Sequence, residues 1–181
     1  MALFTLLILQ DRCETIRILK EFIESAKLKI IYMKSSEKIL SKLNNLLIMN
    51  YEVEKVYLKA LDLATDDNLK AFFRERGFER NEFGRQLRAE LKKLDGKPKK
   101  FDGLSRSFDS VFTNFRDYIL LNLEDDLMEE VYSLKRLSIE KYNELLREIN
   151  LPLSTCKLLV KQRDSIYGNM NAMKRQEEFV V

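Results

Sequence analysis

Only five glycines and two prolines punctuate 181 residues, while 34% of the side chains carry charge. A strand-rich chain of this length needs many more turn residues, whereas long amphipathic helices need few, so the sequence predicts an all-α protein. Four long segments carry the helical period. The first runs from about Ser36 to Ala64, with Ser35 or Ser36 as its N-cap, and TDDN (65–68) breaks the pattern. Asp66 or Asp67 can cap a second helix from about Asn68 to Leu94. DGKP (95–98) stops it, with Gly96 in the left-handed position and Pro98 beyond. Residues 99–121 hold a shorter, Phe-rich helix. Asn122 is a suitable N-cap for a third long helix to about Asn150, because Glu124, Asp125 and Asp126 then sit where the helix dipole favours acids. Pro152 opens the fourth, to about Lys174. Each tight turn forces its two helices antiparallel, and a connection of roughly twenty-five residues between the pairs is long enough to cross a bundle. The expected fold is a four-helix bundle with a crossover over residues 36–175, with an N-terminal segment 1–35 and a tail 176–181.

The composition excludes much chemistry. The chain has no histidine, which removes the commonest general base, the His-containing triads and the usual nitrogen ligand for zinc, copper and iron. Cys13 and Cys156 have no metal-ligand spacing and make no disulfide framework, so a reducing cytoplasm is expected. Cys156 reads as a small hydrophobe beside Leu153, Leu159 and Val160. Lys plus Arg number 32 against 29 Asp plus Glu, and the signs are interspersed, so no nucleic-acid partner is expected. The densest basic run, KKLDGKPKK (92–100), reads as a solvated helix end and loop. The apolar start MALFTLLIL lacks a basic n-region and a cleavage site, and it is too short to span a bilayer. No membrane partner is expected. Residues 14–32 have helical spacing, and MKSSEKIL from Met33 reads like a bacterial protein start; residues 1–32 are either an appended helix or an over-extended gene start.

From LNNLL (43–47) through ERNEF (79–83) to DGKP (95–98), and again at EKYNELL (140–146) and LPLSTCKLLVKQRDSI (151–166), the chain resembles a bacterial four-helix-bundle family. That family is catalogued only as a domain of unknown function and placed in the ferritin-like superfamily. Metal-binding members of the superfamily draw one Glu from each of two helices and Glu-x-x-His from each of the other two, around paired iron or manganese ions. The nearest match here, Glu79-Arg-Asn-Glu82, has Glu where the pattern has His, and residues 162–174 offer only Asp164 as an acid. The resemblance therefore implies the fold without its metal site.

Projection at roughly 100° per residue shows which charges face inward. The second helix aligns Leu69, Phe72, Phe73, Phe83, Leu87, Leu91 and Leu94, with Gly77 and Gly84 at the edge. Arg76 and Arg80 fall within that stripe, Glu79 at its rim and Glu82 toward water. The first stripe is interrupted by Asn50 and Glu54, and the third by Lys135 and Ser138. The fourth, drawn through Cys156, Leu159, Val160, Tyr167 and Met170, is interrupted by Arg163. These interruptions predict a buried polar belt at the bundle's waist, made of Asn50, Glu54, Arg76, Glu79, Arg80, Lys135, Ser138 and Arg163. Glu54 is expected to pair with Arg76 or Arg80. Its excess of bases opposes a divalent cation and leaves room for a small anion. No cofactor and no catalytic set are expected. The favoured function is a non-catalytic structural or interaction protein, partnered by a second copy or another protein through a helix face. Phe78 and the crossover's Phe101, Phe108, Phe112 and Phe115 are read as spare apolar surface for that purpose. The alternative is a metal-dependent oxidase or iron-handling protein, with Glu54, Glu79 and Glu82 as weak ligand candidates.

Overall fold

A computed structural model describes the backbone of residues 2–178, and the side chains of residues 33–173 together with those of Arg17, Lys20, 22–27 and Lys29. Among the described residues every regular element is a helix: α1 (Ala2–Leu63), α2 (Asp67–Lys93), α3 (Arg106–Leu120), α4 (Glu124–Leu146) and α5 (Leu153–Glu178). The chain divides into two compact units, Met1–Lys38 and Ile39–Val181. In the first, Phe22, Ile23 and Met33 are exposed. The readings made for the side chains of MALFTLLIL and Cys13 fall outside the described residues, as does the end of the tail (179–181). No described helix is long and apolar enough to cross a membrane.

The predicted helix start at Ser35 or Ser36 is corrected, for α1 runs through both serines. No glycine or proline precedes Gly77, so nothing in the first sixty residues or so breaks a helix once begun. The break after Leu63 is made by Asp66, whose carboxylate accepts the Leu69 N–H at 2.9 Å and so caps α2.

In the second unit the contacts run antiparallel between neighbouring helices. Gly84 and Gly77 of α2 meet Tyr51 and Leu58 of α1; a Cβ at Gly84 would lie 2.7 Å from the Tyr51 ring. Glu90, Gln86 and Glu79 of α2 meet Thr155, Gln162 and Ser165 of α5 in reverse order. Tyr142 and Lys135 of α4 meet Gln162 and Met173 of α5, and Asn50 of α1 meets Tyr142. The core includes Leu43, Leu47, Val56, Phe73, Leu87, Val131 and Leu159, all fully buried.

Two buried polar residues of α1 tie down the connection from α2 to α3. Asn44 donates to Lys97 O and accepts the Lys99 N–H at 2.7 Å, while Glu52 accepts the Ser105 N–H at 2.8 Å. The crossover phenylalanines are not spare surface. Phe108 and Phe115 are buried, and Phe115 closes an aromatic cluster with Tyr57 and Phe73 at centroid distances of 6.2 and 6.1 Å. Lys59 covers the half-buried Phe112 ring at 4.2 Å. Only Phe78 of the five is exposed.

Both left-handed stops differ from expectation. Asp95, not Gly96, takes the positive φ of 57°, and Gly96 N–H bonds Leu91 O at 2.8 Å while Asp95 N–H bonds Lys92 O at 3.2 Å. Gly96 is required for space instead: a Cβ there would stand 2.7 Å from Leu40 Cδ2 and 3.0 Å from Leu91 O. Asn122, the predicted N-cap of α4, has φ 56° and closes α3, with Leu123 N–H bonding Tyr118 O at 2.9 Å. Asn tolerates that conformation because its short amide bonds locally.

These two turns generate a paired test. Gly96→Ala should lose roughly 1–3 kcal/mol through overpacking against the Leu91 carbonyl, whereas Asp95→Gly should change stability by less than about 1 kcal/mol, in either direction, because relieved left-handed strain is offset by unfolded-chain entropy. Urea denaturation of both variants distinguishes them; a tolerated Gly96→Ala would contradict the close approach.

Candidate functional site

The interior of the second unit holds a chain of hydrogen bonds that passes through all four long helices. Arg80 Nη1 donates to Asn50 Oδ1 at 3.2 Å, and Asn50 Nδ2 donates to Tyr142 Oη at 3.1 Å and to Leu46 O at 2.9 Å. The Tyr142 hydroxyl in turn donates to Gln162 Oε1 at 2.8 Å, and Gln162 Nε2 donates to Gln86 Oε1 at 2.9 Å. Gln86 then donates to Glu82 Oε1 at 2.8 Å, where Arg85 ends the chain in a half-exposed ion pair. Asn50 and Tyr142 are wholly buried, and Arg80 and Gln162 nearly so. Neutral amides thus carry most of the belt, which satisfies polar groups without stacking up buried charge.

Beside this chain lies a cationic cluster. Lys135 is 2% exposed, donates to the Met173 sulfur at 3.0 Å and lies over the Phe72 ring at 5.8 Å. Burial, then Arg76 and Arg80, push its ammonium down to about 8, with Glu79 opposing them. Glu79 is fully engaged: Arg76 Nη1 donates to one oxygen at 3.1 Å, and Ser165 Oγ and Asn169 Nδ2 donate to the other at 2.6 and 2.9 Å. Tyr57 contributes a buried hydroxyl that has no hydrogen-bond partner among the described residues. Burial pushes that phenol up to about 12, against the pull of Arg80 and Arg76. Burial also raises the Tyr142 phenol.

Several predicted belt residues stand elsewhere. Glu54 is only half-buried and accepts from Asn81 at 2.8 Å, so it pairs with neither Arg76 nor Arg80. Arg163 bonds Asp164 and Asn143 near the surface. Ser138 is buried but bonds Leu134 O of its own helix at 2.8 Å. Tyr167, placed in the core by the sequence pattern, is 52% exposed, while Ile166 is buried. These differences on α5 share one cause: its inward face carries Thr155, Leu159, Gln162, Ile166 and Met170. Two of those five are polar, so counting apolar residues favours a phase one residue away. Glu90 was likewise missed. Its buried carboxylate accepts Thr155 Oγ1 at 2.7 Å and Ser154 Oγ at 2.9 Å at the N-terminal end of α5. Burial opposes its ionisation, but those hydroxyls and Lys93 hold it below the usual carboxylate range.

A paired-metal centre does not fit these donors. Glu54, Glu79 and Glu82 are held by different partners: Asn81; Arg76, Ser165 and Asn169; and Gln86 with Arg85. Among the described residues no three carboxylate or thiol side chains gather as a ligand group. A metal would have to displace those bonds and enter beside Arg76, Arg80 and Lys135.

A family model described as Domain of unknown function (DUF2383) matches residues 38–148, a span that reaches just past the end of α4 and leaves α5 outside. No curated protein and no solved structure matches the chain.

Two expectations test the belt. Asn50→Leu should cost roughly 2–4 kcal/mol, because it strips the acceptor from buried Arg80 and a donor from Tyr142. Glu54→Ala should stay within about 0.5–1 kcal/mol. Equal losses in urea would place the partner of Arg80 wrongly. The second expectation concerns pH. Between about 8 and 10.5 the unfolded chain keeps a proton on Lys135 that the folded chain releases, so stability rises with pH across that window. Above 10 the raised phenols reverse the slope, since unfolding then frees protons that the folded state retains. The advantage of Lys135→Met over the parent at neutral pH should narrow by roughly 2–3 kcal/mol at pH 10; a constant difference would mean an unshifted lysine.

Proposed function

The chain belongs to this family of unknown function, and from that premise we propose that it is a non-catalytic ferritin-like four-helix bundle, a structural or interaction protein whose polar belt stands where relatives of that fold keep metal ions. Support for the bundle comes from the antiparallel neighbours α1–α2 and α4–α5, joined by a crossover that contains α3. The observation that carries the function is the commitment of the belt's groups to one another: Asn50, Tyr142, Gln162 and Gln86 exchange hydrogen bonds across four helices and leave no nucleophile beside a base. Such a network fixes helix register and phase, which suits a rigid scaffold rather than a reaction centre.

The interaction surface is assigned to the corner between α3 and α4. Leu120, Leu121 and Leu123 are exposed there in sequence, beside a mixed groove of about 570 Å³ bordered by Leu69, Tyr118 and Met128 and by the polar Asp66, Asn68 and Glu124. Apolar side chains clustered in this way mark association surfaces. The occupant that needs no further assumption is a second copy, because a leucine patch is self-complementary about a two-fold axis.

Two measurements test this function. Protein expressed with iron, manganese and zinc supplied should purify without stoichiometric metal; about two tightly held ions per chain would establish the metal-handling alternative instead. Sedimentation should find a dimer for the parent and a monomer for Leu121→Asp, and a parent monomeric at all concentrations would remove the second copy as partner.

A further inference from the structure

The buried charges of the belt do not balance. Arg80 and Lys135 are each 2% exposed, and among the described residues no carboxylate lies within ion-pair distance of either. Arg80 has a neutral amide oxygen as acceptor, and Lys135 has a thioether, which accepts weakly. Glu79, the acid that acts on both tyrosines and on Lys135, is already shared by Arg76, Ser165 and Asn169. Tyr57, 1% exposed, keeps a hydroxyl with no acceptor among the described residues, and it feels Arg80 and Arg76 most strongly among the charged groups. Its ring packs edge-on against Phe72, the same ring that Lys135 covers. An uncompensated cation and an unpaired hydroxyl in one dry region are each costly, and a single acceptor with negative charge relieves both.

We propose that the second unit binds one small monovalent anion of halide size among Tyr57, Arg80 and Lys135. Size follows from burial: these three side chains are almost wholly enclosed, so the space among them suits a small ion and not a phosphate or a carboxylate metabolite. Charge follows from the surroundings. The groups facing the cluster are Tyr57 and Asn50 from α1, Arg76, Glu79 and Arg80 from α2, Lys135 and Tyr142 from α4, and the uncharged Met173 from α5. Arg76 is shared by Glu79 and the exposed Glu75, so Arg80 and Lys135 are left as the cations without a carboxylate, an excess that a monovalent anion reduces without reversing. Binding is linked to the Lys135 proton: the anion favours the ammonium, so affinity falls as pH rises above about 8.

The test is thermal unfolding of the whole chain at constant ionic strength, with sodium gluconate, too large for the site, replaced stepwise by sodium chloride. The parent should gain a saturable rise in Tm, roughly 5–11 °C at a hundred-fold excess over Kd, and the gain should shrink at pH 9.5. Tyr57→Phe should be no less stable than the parent in gluconate, since it deletes an unpaired hydroxyl, yet it should lose at least half of the chloride response. Lys135→Met should lose nearly all of it. A bromide-soaked crystal should show an anomalous peak within hydrogen-bonding reach of Tyr57 Oη. Identical chloride responses in the parent and both variants, or bromide found only at surface lysines, would overturn the site.

Discussion

The hydrogen bond from Arg80 to Asn50 is the contact on which the interior depends. A guanidinium enclosed to 2% exposure has no water to solvate it, so its acceptor must come from another helix and must stay in place. Asn50 meets that requirement only because its other end is fixed by Leu46 O and the Tyr142 hydroxyl. Gln162 holds Tyr142 in turn, and Gln86 holds Gln162. Rotating any one helix by a residue breaks a link and leaves a buried polar group unpaired. Alternative packings of the same apolar stripes are therefore penalised, a specificity that leucines alone do not supply.

Polar groups also govern the helix ends and the connection from α2 to α3. Glu90 binds the first turn of α5 through Ser154 and Thr155, fixing the axial position of that helix against α2. Asn44 holds residues 97 and 99 as the chain leaves α2, and Glu52 holds Ser105 just before α3. With both ends of the strap tied to α1, Phe115 is delivered to Tyr57 and Phe73. Phe108 and Phe115 thus belong to the core, which is why they give no information about an interaction surface.

A centre built this way differs in kind from a metal site. Carboxylates that ligate ions are gathered by one cation; here each glutamate is occupied by nitrogen and hydroxyl donors of its own. The surplus charge is positive and buried, with Lys135 over the Phe72 ring and Arg80 over the Phe83 ring. Ligands compatible with that field are anions, and the enclosure keeps them small.

The sequence by itself determined the helical class, the breaks after Leu63 and after Lys93, and the presence of polar side chains inside. Scarce glycine and proline and a 3.6-residue apolar period are local properties, legible without a partner. It also placed Asn50, Arg80 and Lys135 among inward positions, since each interrupts a strong apolar stripe. Only the tertiary structure decided which of these groups meet. Gln162 and Thr155 lie inward because Tyr142 and Glu90, on other helices, offer them partners; judged by apolarity alone they belong outside. Glu54 lies at the margin because Asn81 meets it there. Asp95 takes the left-handed turn because it directly follows the Leu94 cap of α2, while Leu40 and the Leu91 carbonyl fill the space a side chain at Gly96 would need. Burial of an apolar side chain follows from its own chemistry, whereas burial of a polar one depends on a partner supplied by another part of the chain.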